Sequence, residues 1–162
     1  FKLFIIFFKK EKIELDKLNS LANSPNADQY RVGATPASSV LKVAAYGLQG
    51  EFFSAHGEYL KAVNSFQKGV NLEDKNNYTE PPDWAQPMRH YLGAALLKSG
   101  KFQEAEQTYR RDLKWNQNNG WSLYGLHQSL ELQGKEKESE EIYKQWNIAW
   151  KDSDIKIKAS HL

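Results

Sequence analysis

The chain has 162 residues, 40% of them hydrophobic and 26% charged, the balance of one compact domain or of a short run of repeats that share a core. Its 22 basic and 20 acidic residues are interleaved, a pattern typical of solvated helix faces that argues against a nucleic-acid or membrane-surface partner. With no cysteine, disulfides and thiolate chemistry are excluded, and the compartment stays open between the cytoplasm, our default, and a secreted or lumenal location.

The N-terminal segment begins with a strongly apolar run, FKLFIIFF. It is far shorter than the roughly 20 residues of a membrane-spanning helix, so we expect no complete membrane span. Neither a basic leader nor a cleavage site of a signal peptide accompanies it. We interpret residues 1–23 as the remnant of a preceding helical hairpin in a longer protein, with a truncated transmembrane helix as the alternative. Residues 24–40, rich in Ser, Asn, Ala, Gly and Pro, predict a loop.

Residues 41–150 contain three copies of one pattern, in which a small residue, a turn glycine, a second small residue and an aromatic residue recur at constant spacing. The first copy has Gly50, Gly57, Ala62 and Phe66, the second Gly93, Gly100, Ala105 and Tyr109, and the third His127, Gly134, Ser139 and Tyr143. The last two turn glycines are 34 residues apart, whereas an insertion at about 73–83 lengthens the first interval. A constant period of this kind predicts stacked structural repeats.

The physical reason for the pattern is the packing of helical hairpins. Small residues let two antiparallel helices approach closely, and the aromatic residue fills the gap to the next hairpin. A glycine in the left-handed conformation ends the first helix of each pair. Asp83 with Gln86 predicts a capping box at the third helix, and residues 151–162 predict a C-terminal tail. The predicted helices are 41–56, 59–72, 84–99, 102–116, 120–133 and 136–150, with no strand of five residues among them.

This pattern resembles the tetratricopeptide repeat (TPR). The resemblance implies an all-α fold, a right-handed superhelix of antiparallel helix hairpins, that is, a TPR-like α-solenoid with three hairpins and part of a fourth. His127 departs from it, because the family has a small residue there. The segment from Leu72 to Leu126 is also similar to the C-terminal repeats of a group of larger bacterial-type TPR proteins.

The resemblance further implies a groove lined by the first helix of each hairpin. We expect this concave, partly aromatic surface to bind a peptide or a partner segment with apolar side chains. The Lys and Asn residues of the family's carboxylate clamp are missing at positions 47, 51, 90 and 94, so an acidic chain terminus is not the expected ligand. The protein's own preceding repeats are an alternative occupant. The predicted groove residues are His90, Ala94, Leu97, Trp121, Tyr124 and Gln128.

Chemistry-bearing motifs are scarce in the sequence. The four histidines fall at different phases of the repeat, and none forms a His-x-x-x-His pair, so we expect no metal site. Paired carboxylates lie in the charged run KEKESEE, and neither a nucleophile elbow nor a phosphate-binding glycine loop occurs. We therefore predict no catalytic residue and no cofactor. Asn77 begins a glycosylation triplet, which would matter in a secreted protein.

Three hypotheses for function follow. The leading one is a non-catalytic module for protein–protein interaction or scaffolding. The second is the C-terminal module of a larger enzyme or metal-binding protein whose reactive residues precede this chain. The third is a structural subunit of a multi-protein assembly.

Overall fold

The computed structural model describes residues 2–76 and 80–161, with side chains from residue 12 onward. Asn77 and its glycosylation triplet lie outside the described residues. Over these residues the regular secondary structure is α-helical apart from a short 3-10 turn and a two-stranded ladder, and loops and a C-terminal tail complete the chain. The chain divides after Gln86 into two compact units. The helices are α1 Lys2–Ala22, α2 Ala37–Ala55, α3 Tyr59–Glu73, α4 Met88–Lys98, α5 Phe102–Trp115, α6 Gly120–Glu131 and α7 Glu136–Ala149.

The first unit is built on α2, which packs against both α1 and α3. The segment predicted as a loop over 24–40 has structure of its own. A 3-10 turn at Ala27–Gln29 is followed by strands β1, Arg31–Val32, and β2, Thr35–Pro36, which pair antiparallel. The α2 helix then begins at Ala37, earlier than the predicted residue 41.

The second unit consists of two antiparallel hairpins, α4–α5 and α6–α7, joined by packing of α5 on α6 and of α4 on α6. Glycines stand at the turn of each predicted hairpin in both units. Gly57, Gly100 and Gly134 have φ values of 73°, 78° and 72°, and a Cβ added at any of them would meet open space. The predicted turn glycines are therefore confirmed, and their role is conformational.

The glycines at the other recurring position of the repeat, Gly50 and Gly93, act through packing. A Cβ added at Gly50 would lie 2.3 Å from a ring carbon of Phe66, and one added at Gly93 would lie 2.3 Å from the ring of Tyr109. The Tyr109 ring also touches the next hairpin, since a Cβ at Gly125 would lie 2.2 Å from it. Phe66 and Tyr109 are 1% and 0% exposed. Each aromatic ring thus occupies space that a side chain would fill.

The third copy lacks this packing. His127 stands where the first two copies have Gly50 and Gly93, and its ring lies 4.8 Å from that of Tyr143. Tyr143 is consequently 41% exposed, in contrast to its two buried counterparts. The departure of His127 from the pattern changes the local packing and leaves the hairpin itself intact.

The start of α4 corrects one expectation. The capping box at Asp83 is not formed, and the helix begins at Met88 with Pro87 as its N-cap residue. Pro87 lacks the N–H that would donate to the carbonyl of residue 83, and the residue before a proline disfavours the helical conformation. The carboxylate of Asp83 instead lies where a Cβ of Gly33 would be, against the β1–β2 turn.

A polar contact joins the two hairpins of the second unit. The carboxylate of Glu106 accepts hydrogen bonds from Arg110 at 2.8 Å, from Gln133 at 2.9 Å and from Lys135 at 2.6 Å. Burial opposes ionisation, but these donors outweigh it and lower the pKa of Glu106 to about 2. Because Gln133 and Lys135 flank the Gly134 turn, Glu106 fixes that turn to α5.

Gly93→Leu should destabilise the second unit by about 3 kcal/mol or more, because the new side chain overpacks the ring of Tyr109. Gly100→Leu is the matched control, since it meets open space and adds only the cost of a left-handed conformation, about 1–2 kcal/mol. Urea denaturation of both variants measures the difference. Equal losses of stability would contradict the packing role of Gly93.

Candidate functional site

The C-terminal tail, residues 150–161, folds back onto α4 and α6. At its start, Nε1 of Trp150 donates a 2.7 Å hydrogen bond to the carbonyl of Ile155. Farther along, Nε2 of Gln128 donates to the carbonyl of Lys158 at 3.4 Å, and the ring of His161 stacks on Tyr91 with centroids 5.1 Å apart. The tail contains neither helix nor strand. A linear segment thus lies on the face that α4 and α6 share.

The anchor of this tail is Ser160, which is 1% exposed. Its hydroxyl donates to the backbone carbonyl of His90 at 2.8 Å. Since that bond uses the single hydroxyl proton, the hydroxyl of Tyr109, 2.7 Å away, is the donor to Ser160 Oγ. Burial raises the pKa of Tyr109 well above its ordinary value, and the nearby charge of Asp112 adds to this, so the phenol stays protonated. Ser160 therefore fits a pocket that offers one donor and one acceptor.

A buried network supports this pocket from below. Nε2 of His90 lies 3.2 Å from Oδ2 of Asp112, and Ser122 donates to the same oxygen at 2.6 Å. Asn116 donates to Oδ1 at 3.0 Å. Burial opposes ionisation of Asp112, but the hydrogen bonds and the imidazole hold its pKa below the ordinary value. The network ties α4 to α5 and α6, and it fixes the residue whose carbonyl receives Ser160.

The position of His90 differs from the expectation. Its side chain is 1% exposed and directed to Asp112, instead of lining the groove surface. Its Nδ1 has no hydrogen-bond partner within residues 2–76 and 80–161. His90 contributes to the face that holds the tail through its backbone carbonyl.

The two predicted aromatic groove residues pack against α7. The ring of Trp121 meets that of Trp150 edge-on at 5.3 Å, and Tyr124 lies 5.2 Å from Trp146. Trp146 in turn stacks on Trp150 at 6.3 Å. This cluster packs around Trp150, the first residue of the tail. Trp121 and Tyr124 therefore support the start of the tail.

The other three predicted residues come together beside the tail. Ala94 and Leu97 of α4 and Gln128 of α6 line a cleft of about 240 Å³, and Lys158, Ala159 and Ser160 of the tail line it as well. We call this face the α4–α6 groove; its residues are Ala94, Leu97, Lys98, Gln128 and Leu132.

Sequence reasoning missed Tyr109 and Ser160 as parts of this site. A usable signal existed for Tyr109. The first copy of the repeat has Phe66 at the same position, and a buried tyrosine hydroxyl requires a hydrogen-bond partner that a phenylalanine does not. No local pattern marks Ser160, because its partners lie 51 and 70 residues away in sequence.

The buried Ser122, His90 and Asp112 do not form a nucleophilic triad. The serine hydroxyl donates to the carboxylate, whereas activation of a serine requires its hydrogen bond to reach the imidazole. All three side chains are 1% exposed or less. In the described part of the chain, no group of three His, Asp or Glu side chains could hold a metal ion. Along the same residues, no helix combines the length and apolar character needed to cross a membrane.

Comparisons with known proteins identify the fold. No protein-family model and no curated protein matches the sequence. The similar solved structures include two crystal structures of the nearly identical TPR-like repeats of a Podosopora anserina protein described as kinesin light chain-like. A substituted form has 17% identity and a TM-score of 0.61, and the match covers 88% of this chain and 68% of that one. For the other form the identity and TM-score are the same and the coverages 91% and 71%.

This likeness confirms the all-α, TPR-like repeat fold predicted from the glycine and aromatic pattern.

Asp112→Asn should reduce stability near pH 7 by about 1–3 kcal/mol, because buried donors lose a charged acceptor. The pKa of Asp112 is lowered on folding, so the contribution of the carboxylate is present above its unfolded pKa of 3.8 and is lost as the pH falls below that value. The stability difference from the parent should therefore shrink below about pH 3.8.

Urea denaturation between pH 2 and 7 measures this dependence, with Asp152→Asn as the control. The Asp152 side chain is 90% exposed, so its variant should match the parent throughout. A difference for Asp112→Asn that is constant with pH would contradict an ionised carboxylate in the network.

Proposed function

We propose that the chain is a protein-interaction module that binds a linear, non-helical segment of a partner protein on the α4–α6 groove. The observation that carries this proposal is the seat of the C-terminal tail. A segment without helix or strand already lies on this face, held by a buried serine, a backbone contact and a ring stack.

The contacts to the tail are of a kind that another chain can reproduce. Gln128 donates a hydrogen bond to a backbone carbonyl, a group that every residue has. The hydroxyl of Tyr109 and the carbonyl of His90 bind one small polar side chain, that of Ser160. Ala94 and Leu97 supply apolar surface beside them. Main-chain hydrogen bonds with pockets for a few side chains are the general way in which linear segments are recognised.

Trp121 and Tyr124, the two aromatic residues predicted for the groove, have an indirect role in this proposal. Trp121 and Tyr124 hold Trp150 and Trp146, and so set where the tail leaves α7. A partner segment would contact the α4–α6 groove itself, with Ala94, Leu97 and Gln128 as the binding residues.

Selection of random linear peptides displayed on phage, with the full chain as the target, tests this proposal. Calorimetry then measures the affinity of each selected peptide. Leu97→Glu should weaken the selected peptides by about 2 kcal/mol or more, because it places a charge in the apolar part of the groove. Leu60→Glu is the matched control. Leu60 is 65% exposed on α3 in the first unit, and its substitution should leave affinity unchanged.

Circular dichroism establishes that both variants are folded before binding is compared. Selection of no peptide, or loss of binding in the Leu60 variant with retention in the Leu97 variant, would contradict the proposal.

A further inference from the structure

The tail fills the α4–α6 groove incompletely. Ala159 lines the cleft of about 240 Å³ together with Leu97 and Leu132. An alanine is too short to cover these side chains, and Leu132 remains 53% exposed. Apolar surface is thus left uncovered beside a seated residue. A longer aliphatic side chain at this place would bury it.

The neighbouring pocket, by contrast, is filled and selective. The hydroxyl of Ser160 accepts from Tyr109 and donates to the carbonyl of His90, so both groups are satisfied. An alanine there would leave a buried donor and a buried acceptor unpaired. A phosphorylated serine would place negative charge against the carbonyl oxygen of His90. The pocket therefore accepts an unmodified hydroxyl.

We propose that the α4–α6 groove recognises a serine preceded by a large aliphatic residue, and that the C-terminal tail is a weak internal occupant which such a partner displaces. This inference rests on the proposed function and names the ligand of the same groove. The occupant is a linear segment with a large aliphatic residue followed by serine. In the tail, Ala159-Ser160 has the smaller alanine at the aliphatic position.

The contacts of the tail agree with weak occupancy. The hydrogen bond that Gln128 donates to the carbonyl of Lys158 is long, at 3.4 Å. Residues 151–156 and Lys158 are exposed. A segment tethered this closely has an effective concentration on the order of millimolar, so it occupies the groove even with low intrinsic affinity. A partner segment must bind the groove more tightly than the tail does. It can gain that affinity by burying apolar surface in the unfilled cleft.

The test uses synthetic peptides with the tail sequence DIKIKASH and three changes: alanine to leucine before the serine, serine to alanine, and serine to phosphoserine. Each is titrated by fluorescence anisotropy into the full chain and into full-chain variants. Ser160→Glu releases the internal tail, because the pocket offers a carbonyl oxygen to the new carboxylate. Ser153→Glu adds the same charge to an exposed position of the tail and is the matched control.

The Ser160→Glu chain should bind the unmodified peptide about 10-fold more tightly than the parent and the Ser153→Glu chain do, since the internal competitor is removed. The leucine peptide should bind every chain about 10-fold more tightly than the unmodified peptide, because additional apolar surface is buried. The alanine and phosphoserine peptides should bind at least about 10-fold more weakly.

A second full-chain variant tests the competition in the opposite direction and does not disturb the serine pocket. Ala159→Leu improves the internal occupant, so this chain should bind the leucine peptide about 10-fold more weakly than the parent does. Circular dichroism of all chains establishes that they are folded.

Equal affinities of the alanine and serine peptides, of the leucine and unmodified peptides, or of the Ser160→Glu and Ser153→Glu chains would each overturn the inference. If library peptides still bind in a manner sensitive to Leu97→Glu, the interaction function survives that result. If no peptide binds to any chain, including the one with the released tail, both proposals fail.

Discussion

The second unit depends on the placement of one ring, that of Tyr109. It lies where side chains of Gly93 and Gly125 would otherwise be, and so contacts α4 and α6 at once from its place on α5. Its hydroxyl is buried with it and must find a partner, and the partner is Ser160 of the tail. The same side chain therefore packs two hairpins together and anchors the segment that covers the face between them.

The hydrogen-bond network around Asp112 supports both roles of Tyr109. Asp112 lies one helical turn after Tyr109 on α5 and accepts from His90 of α4 and from Ser122 of α6. Buried carboxylates are tolerated when their oxygens are hydrogen-bonded, and here three donors, from His90, Asn116 and Ser122, converge on one side chain. The network joins the three helices that Tyr109 also joins, and it holds the carbonyl of His90 toward Ser160.

The repeat architecture could be predicted from the sequence, because its causes are local and recur. A glycine with positive φ ends the first helix of each hairpin, and a small residue faces an aromatic ring. The capping signature at Asp83 predicts that α4 begins at residue 84, whereas the restriction that Pro87 imposes moves its start to Met88. The β1–β2 ladder, two residues to a strand, is too short to produce a periodic signal.

The placement of the residues at the candidate site could be predicted in part from the sequence. The positions of Ala94, Leu97 and Gln128 follow from helical phase, and they line the cleft. Helical phase alone also put the side chain of His90 on this surface, whereas hydrogen bonding to a carboxylate 22 residues away directs it inward. The sequence predicts the tail as a segment but not its place on the groove, because the tail makes its contacts to residues distant in sequence.

The central claim is that the tail occupies the α4–α6 groove through the Tyr109–Ser160 contact. A double-mutant cycle of Tyr109→Phe and Ser160→Ala, measured by urea denaturation of the full chain, tests it most directly. Each substitution removes one side of a buried hydrogen bond, so the account predicts single losses of about 1–3 kcal/mol and a coupling energy of about 1 kcal/mol. Strictly additive effects of the two substitutions would show that the tail is not seated in the groove.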